Sequence, residues 1–229
     1  FVGLGDDLTI RATGVQVDIN QASLVSDAVV DYSYVSGSAG ARKTDLSVAT
    51  GTGTELALTL DGAKGELLQA SGFLDINVYG FVSVYGDLAV TKSSQNVKLA
   101  SDTAGTTVNE ATTGITVDVL TIGGNNLNAF AGVNGGYQKD ADGNYLLDGT
   151  GNAILKDTAM GLALSDVDFG LAMLTQQGAP THKWTTLQAS AGSVGFVGLG
   201  DDLTIRATGV QVDINQASLA SDAVVDYSY

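Results

Sequence analysis

Apolar and polar residues alternate along much of the chain. Leu8-Thr-Ile10-Arg-Ala12 and Val15-Gln-Val17-Asp-Ile19 do so first, and Leu56-Ala-Leu58-Thr-Leu60 and Ile115-Thr-Val117-Asp-Val119 follow. A period of two sends successive side chains to opposite faces, the pattern of a strand with one buried face. Thr13-Gly14, between the first two runs, reads as the turn of a hairpin. Phe73-Leu-Asp-Ile76-Asn-Val78 and Phe81-Val-Ser-Val84-Tyr85 read as long strands bent at Gly80 and Gly86 through bulges. Residues 115–136 return to strand, with a turn at Gly123-Gly124-Asn125-Asn126, and residues 162–174 stay apolar. Residues 35–54 are polar and predict a surface loop or a short strand at 46–49. Residues 175–183 hold the only Pro and the only His, and predict an exposed loop. Links this short favour antiparallel neighbours, because a parallel crossover needs a dozen or so residues. No long run of helix formers at 3.6 spacing occurs, and the Thr, Val and Gly spread through the chain work against helix.

The strongest signal is a duplication. Residues 1–34 return at 196–229 with one change, Val25 against Ala220, so 33 of 34 positions match at an offset of 195 (196 − 1). Near-identity extends to Gln, Asn and Asp positions that a shared fold alone would not preserve, and this points to duplication of a whole unit. Residues 1–195 are then one full unit, and 196–229 begin the next. The chain starts without Met, and neither end reads as a polar cap, so a window on a longer run of units is the expectation. Weaker echoes lie inside the unit. Leu68-Gln-Ala-Ser-Gly72, Leu127-Asn-Ala-Phe-Ala-Gly132 and Leu187-Gln-Ala-Ser-Ala-Gly192 share a core, and Asp7-Leu8 and Asp87-Leu88 open similar runs. The fold class is therefore all-β, in an elongated tandem-repeat architecture. Antiparallel hairpins and meanders, or a β-solenoid-like stack, both fit.

Composition narrows the function. With 44% hydrophobic residues the chain buries a core and is not disordered. No Cys means no disulfide framework. The net charge of −15, from 25 acidic against 10 basic residues, argues against nucleic acid, whose phosphates need clustered Lys and Arg. No apolar run approaches the roughly 20 residues of a membrane-spanning helix. An acidic, Cys-free β repeat suits the outside of a bacterial cell, where like charge keeps long chains apart. It also makes Ca²⁺ or Mg²⁺ a candidate stabiliser.

Asp140, Asp142, Asn144 and Asp148 are oxygen donors at relative positions 1, 3, 5 and 9, as a Ca²⁺ loop would have them. Gly143 stands at position 4 and not 6, and Asn152 takes position 12 where Glu belongs. The alternative is a hairpin whose Asp-Gly-Asn tip supplies turn residues. Gly5-Asp6-Asp7, repeated at Gly200-Asp201-Asp202, reads as a solvated turn, or as a cation bridge between units. Tyr79, Phe81 and Tyr85 read as packing along a sheet face, with a carbohydrate-binding strip as the alternative. His182, alone beside Lys183, reads as a surface residue. With no Cys and no second His, the common nucleophilic and metal-hydrolase sets are missing, so an enzyme is not expected.

Leu162-Ala-Leu-Ser-Asp-Val-Asp-Phe-Gly-Leu171, Lys183-Trp184, Leu187-Gln-Ala-Ser190, Val212-Asp-Ile-Asn-Gln216, Gly65-Glu-Leu-Leu-Gln-Ala-Ser-Gly72 and Asn128-Ala-Phe-Ala-Gly-Val-Asn134 resemble the repeats of very large bacterial surface or secreted proteins, often labelled adhesin-like or haemagglutinin-like. The resemblance implies an extracellular, multi-unit, β-rich protein and carries over no catalytic residue. The glycine-rich nonapeptide of Ca²⁺-binding β-rolls is absent. A filament or adhesin stalk is the leading expectation, with neighbouring units and other filament chains as partners. An adhesin that recognises glycan or a host surface through residues 35–54 or 175–183 is the rival.

Overall fold

The computed structural model of the chain describes residues 8–24, 27–37, 40–102, 109–200 and 205–228. In chain order its strands are β1 (Leu8–Asn20), β2 (Ser47–Gly51), β3 (Thr54–Ala57), β4 (Leu67–Val78), β5 (Val82–Val97), β6 (Ile115–Val133), β7 (Met160–Gln176), β8 (Lys183–Val197) and β9 (Ile205–Ala217), with one 3-10 turn at Gly62–Lys64. Seven strands form one open sheet in the order β1-β4-β5-β6-β7-β8-β9, and β2 and β3 form a separate hairpin. Every neighbouring pair is antiparallel. The all-β expectation therefore holds, in its meander form. The parallel coils of a solenoid do not occur among the described residues. The Asp6-Asp7 and Asp201-Asp202 pairs lie outside those residues.

Two expected turns are instead irregularities inside unbroken strands. Thr13-Gly14 falls within β1, whose register against β4 shifts between Thr13 and Gln16. The alternation itself carries the reason. Apolar positions run 8, 10, 12 and then 15, 17, 19, a change of phase that one extra residue absorbs, so Ile10 and Val17 face the same side. Gly14 supplies the φ of 60° that the bulge needs, and its counterpart Gly209 in β9 has φ 61°. Likewise, Gly123-Gly124-Asn125-Asn126 does not turn the chain. β6 runs through it with register shifts between Gly124 and Leu127 and between Leu127 and Ala129. The Asn126 amide there donates to the Asp168 carboxylate at 2.8 Å. The bulge expected at Gly86 is present, between Tyr85 and Asp87. The Leu-Gln/Asn-Ala echoes lie on alternate strands β4, β6 and β8, but in different rows of the sheet.

Both cores lie on one face. Val97, Leu99, Ile115, Val117, Val119, Leu174, Trp184 and Val225 form the first, under residues 218–228. Tyr85, Phe130, Tyr137 and Ala159 form the second, at the other end of the strands, under residues 134–159. Each buried Val, Leu or Phe contributes about 1.5–3 kcal/mol. The opposite face carries apolar rows such as Val17–Ala70–Val90–Ile122–Leu171–Leu187–Ile214. No segment covers this face among the described residues, and Val17 is 58% exposed on it.

In the second core the Phe130 ring lies directly on glycine backbone. A Cβ on Gly135 would sit 1.8 Å from the Phe130 Cε1, whereas one on Gly149 would meet nothing within 4 Å. Gly135→Ala should therefore destabilise by about 1–3 kcal/mol through overpacking, and Gly149→Ala by no more than about 0.5 kcal/mol. Urea unfolding monitored by the fluorescence of the single, buried Trp184 measures both.

Candidate functional site

The two copies of the duplicated segment form the two edges of the sheet, β1 and β9. After each strand the chain turns back over the covered face in the same way. The Asp27 amide donates to the Leu24 carbonyl at 3.0 Å, and the Asp222 amide to the Leu219 carbonyl at 3.0 Å. Asn20 Nδ2 donates to the Val30 carbonyl at 2.8 Å, and Asn215 Nδ2 to the Val225 carbonyl at 2.8 Å. The Ser33 amide donates to Asp31 Oδ1 at 2.9 Å, and the Ser228 amide to Asp226 Oδ1 at 2.9 Å.

Their surroundings differ. The second copy rests on residues N-terminal to it. Trp184 Nε1 donates to the Ala223 carbonyl at 2.8 Å. The Ala100 amide donates to the Val224 carbonyl at 2.8 Å, and the Asp226 amide to the Lys98 carbonyl at 2.9 Å. His182 Nδ1 lies 2.8 Å from Asp222 Oδ2, whose side chain is buried. Val225 is 2% exposed, against Leu99 and Trp184. The first copy rests on residues C-terminal to it. The Tyr32 amide donates to the Leu60 carbonyl at 2.8 Å. Lys43 Nζ pairs with Asp31 Oδ2 at 2.7 Å and holds that carboxyl well below the usual range. Here Asn20 is buried while Val30, the counterpart of Val225, is 47% exposed. Local sequence makes His182 a surface residue and gives Trp184 no role. The available signal is position: the only His and the only Trp stand just ahead of the second copy.

The candidate cation ligands fall into two successive turns. Asp140, Asp142 and Asn144 occupy one tip, and Asp148 opens the next; Lys139 bridges to Tyr145 and Leu147 to Ala153. Asp140 Oδ1 accepts the amides of Asp142 at 3.0 Å and Asn144 at 2.9 Å. Asp148 Oδ1 accepts the Thr150 amide at 2.8 Å, the Thr150 hydroxyl at 2.7 Å and the Asn152 amide at 3.0 Å. Both carboxyls are held below their ordinary range, Asp140 chiefly by Asn144 and Asp148 chiefly by Thr150. The two tips share the pattern Asp-x-x-Gly-Asn, eight residues apart (148 − 140). The 1-3-5-9 spacing therefore joins oxygens from two hairpin turns, each closing on its own backbone amides. Among the described residues no group of three His, Asp or Glu gathers as metal ligands.

A tyrosine cluster fastens this double hairpin to the sheet. Tyr85 stacks on Tyr145 at 4.5 Å and meets Tyr137 edge-on at 4.8 Å. The Tyr85 hydroxyl accepts the Ala153 amide at 2.6 Å. The Tyr145 hydroxyl donates to the buried Asp75, which also pairs with Lys139 Nζ at 2.8 Å. Tyr79 and Phe81 are not part of this packing; they sit exposed at the β4–β5 turn. Between the two covered ends, an open groove of about 1030 Å³ crosses the strands, lined by Thr91, Thr121, Thr186, Gln188, Asn215 and Tyr227 among others. Its residues come from separate strands, so no local motif announces it.

No family model, no curated protein and no solved structure matches this chain.

Burial pushes Tyr85 up to about 12 and raises Tyr137 and Tyr145 as well, the last also through Asp75. The fold thus keeps protons that the unfolded chain gives up near pH 10. The contribution is complete below about pH 10 and is lost as pH rises through about 12, so the urea midpoint should fall over that window. Tyr137→Phe removes one such group and should make the fall shallower; an unchanged slope would show that Tyr137 contributes nothing to it.

Proposed function

We propose that the chain is a structural unit of a bacterial extracellular filament or adhesin stalk, built from 195-residue β units in tandem. One observation carries this reading. The duplicated segment keeps the same local structure at both sheet edges, packed on N-terminal residues in one copy and on C-terminal residues in the other. Such a segment serves as a joint between units. The net charge of −15 supports solubility of a long polymer outside the cell. The uncovered apolar rows support cohesion between filament chains, since contiguous exposed apolar surface marks association sites.

A binding role is the second reading, favoured by the groove, whose lining combines Thr121, Thr186, Gln188 and Tyr227 with apolar residues such as Phe169 and Leu171. Glycan binding that disappears on Gln188→Ala or Tyr227→Ala would support it over a purely mechanical role.

Electron microscopy of proteins carrying increasing numbers of the 195-residue unit tests the leading reading. Stiff rods whose length grows in proportion to unit number are expected. Compact particles, or flexible beads, would contradict it.

A further inference from the structure

We propose that successive units share one unbroken antiparallel sheet: the free edge of β9 takes the β4 strand of a following unit, and the free edge of β1 takes the β8 strand of a preceding one. The occupant is a neighbouring unit of this same repeat. Its identity rests on the tandem-unit reading above, but the inference is independent of where the protein works.

Three features of the sheet lead there. Six antiparallel steps separate β1 from β9, so the two copies run in the same direction. They also present the same face. Asn20 lies in the row Asn20–Leu67–Ser93–Val119–Leu174–Trp184–Ala217, and Asn215, its counterpart, is two residues from the end of that row. With direction and face equal, β4 beside β1 and β8 beside β9 must lie on opposite edges of the same strand sequence. Every strand has two hydrogen-bonding edges, and each copy shows one of them filled.

The register agrees. The row that starts at Leu8 ends at Ile205, the counterpart of Ile10, and the row that starts at Asn20 ends at Ala217, the counterpart of Ala22. Both slip by two residues per unit. An even slip keeps every side chain on its own face, whereas an odd one would turn the covered face outward.

The segment after the strand fits the same joint. The second copy is held through the Val224 carbonyl and the Asp226 amide, whose counterparts are Val29 and Asp31, and the first through the Tyr32 amide. No backbone atom is needed twice, so both sets of bonds can form on one segment. In the joined state the Leu99 and Trp184 of a preceding unit would cover Val30 as they cover Val225 here, and the half-exposed Val30 is the surface they would bury. Six strands at about 4.8 Å each give roughly 29 Å of growth per unit.

The test appends residues 35–195 after Tyr229, which reproduces the natural order of Tyr34 then Val35. Hydrogen exchange by mass spectrometry then compares the two copies in peptides that run from each strand across Val25 or Ala220, the one position at which the copies differ in mass. In the 229-residue chain, about half of the amides of each edge strand should exchange slowly. In the extended chain, nearly all amides of residues 205–217 should do so, while residues 8–20 stay as they were. Unchanged exchange in 205–217 would overturn the proposal. So would two mass envelopes in the peptides of residues 35–195, one protected and one fully exchanging, because the second copy of that segment would then stay unfolded although β9 is the strand it is supposed to build on. A closed β9 edge without stiff rods would leave this inference standing and sink the filament reading; rods with an open β9 edge would do the reverse.

Discussion

A β-strand offers two rows of backbone hydrogen bonds, one on each edge, and an edge left open recruits another strand. That constraint governs this molecule, because its two open edges carry the same sequence. Each copy of the strand satisfies one edge, β1 against β4 and β9 against β8. Six antiparallel steps between the copies and a slip of two residues leave both copies equivalent in direction and face. Had either number been odd, the second copy would have run backward or turned its buried face outward. The duplicated sequence would then have met two unrelated environments.

The covered face shows how the segment after β9 is held. Trp184, Leu99 and Val225 pack together, and the indole N–H satisfies the Ala223 carbonyl that the packing encloses. An enclosed carbonyl left without a partner costs about 1–3 kcal/mol, so this bond, with those at Val224 and Asp226, holds the returning segment in place. At the other end of the strands, tyrosines and the Lys139–Asp75 pair tie the double hairpin down. Since Asp75 is buried, its carboxylate depends on Lys139 and Tyr145 to offset the loss of water. The strands are long, and β1, β5 and β6 carry register irregularities at Gly14, Gly86 and Asn126, where bulges locally bend and twist a strand.

Much of this is legible in the sequence, and the rest is hidden for definite reasons. Alternation along 8–19 and 115–119 identifies strands because the period of a strand is local. The phase change between Ala12 and Val15 is equally visible, but a turn and a bulge both use Gly at positive φ, and only the partner strand β4 distinguishes them. Gly123-Gly124-Asn125-Asn126 misleads in the same way. Asp140, Asp142, Asn144 and Asp148 have ligand-like spacing, yet Gly143 and Gly151 each close a separate turn, which splits the set. Tyr85 belongs to a core and Tyr79 and Phe81 do not, although they are neighbours in sequence, because the chain reverses between Val78 and Val82. His182 and the groove across Thr91, Thr121 and Thr186 depend on pairings between distant strands, which no local pattern encodes.

The central claim is that strands stack along the axis of growth, unit after unit, in one sheet. Fibre diffraction from oriented multi-unit protein tests it most directly. The expected pattern has a reflection near 4.8 Å along the fibre axis, with an axial repeat of roughly 29 Å from six strands. A 4.8 Å reflection perpendicular to the axis would mean that the strands run along the fibre, and would contradict the claim.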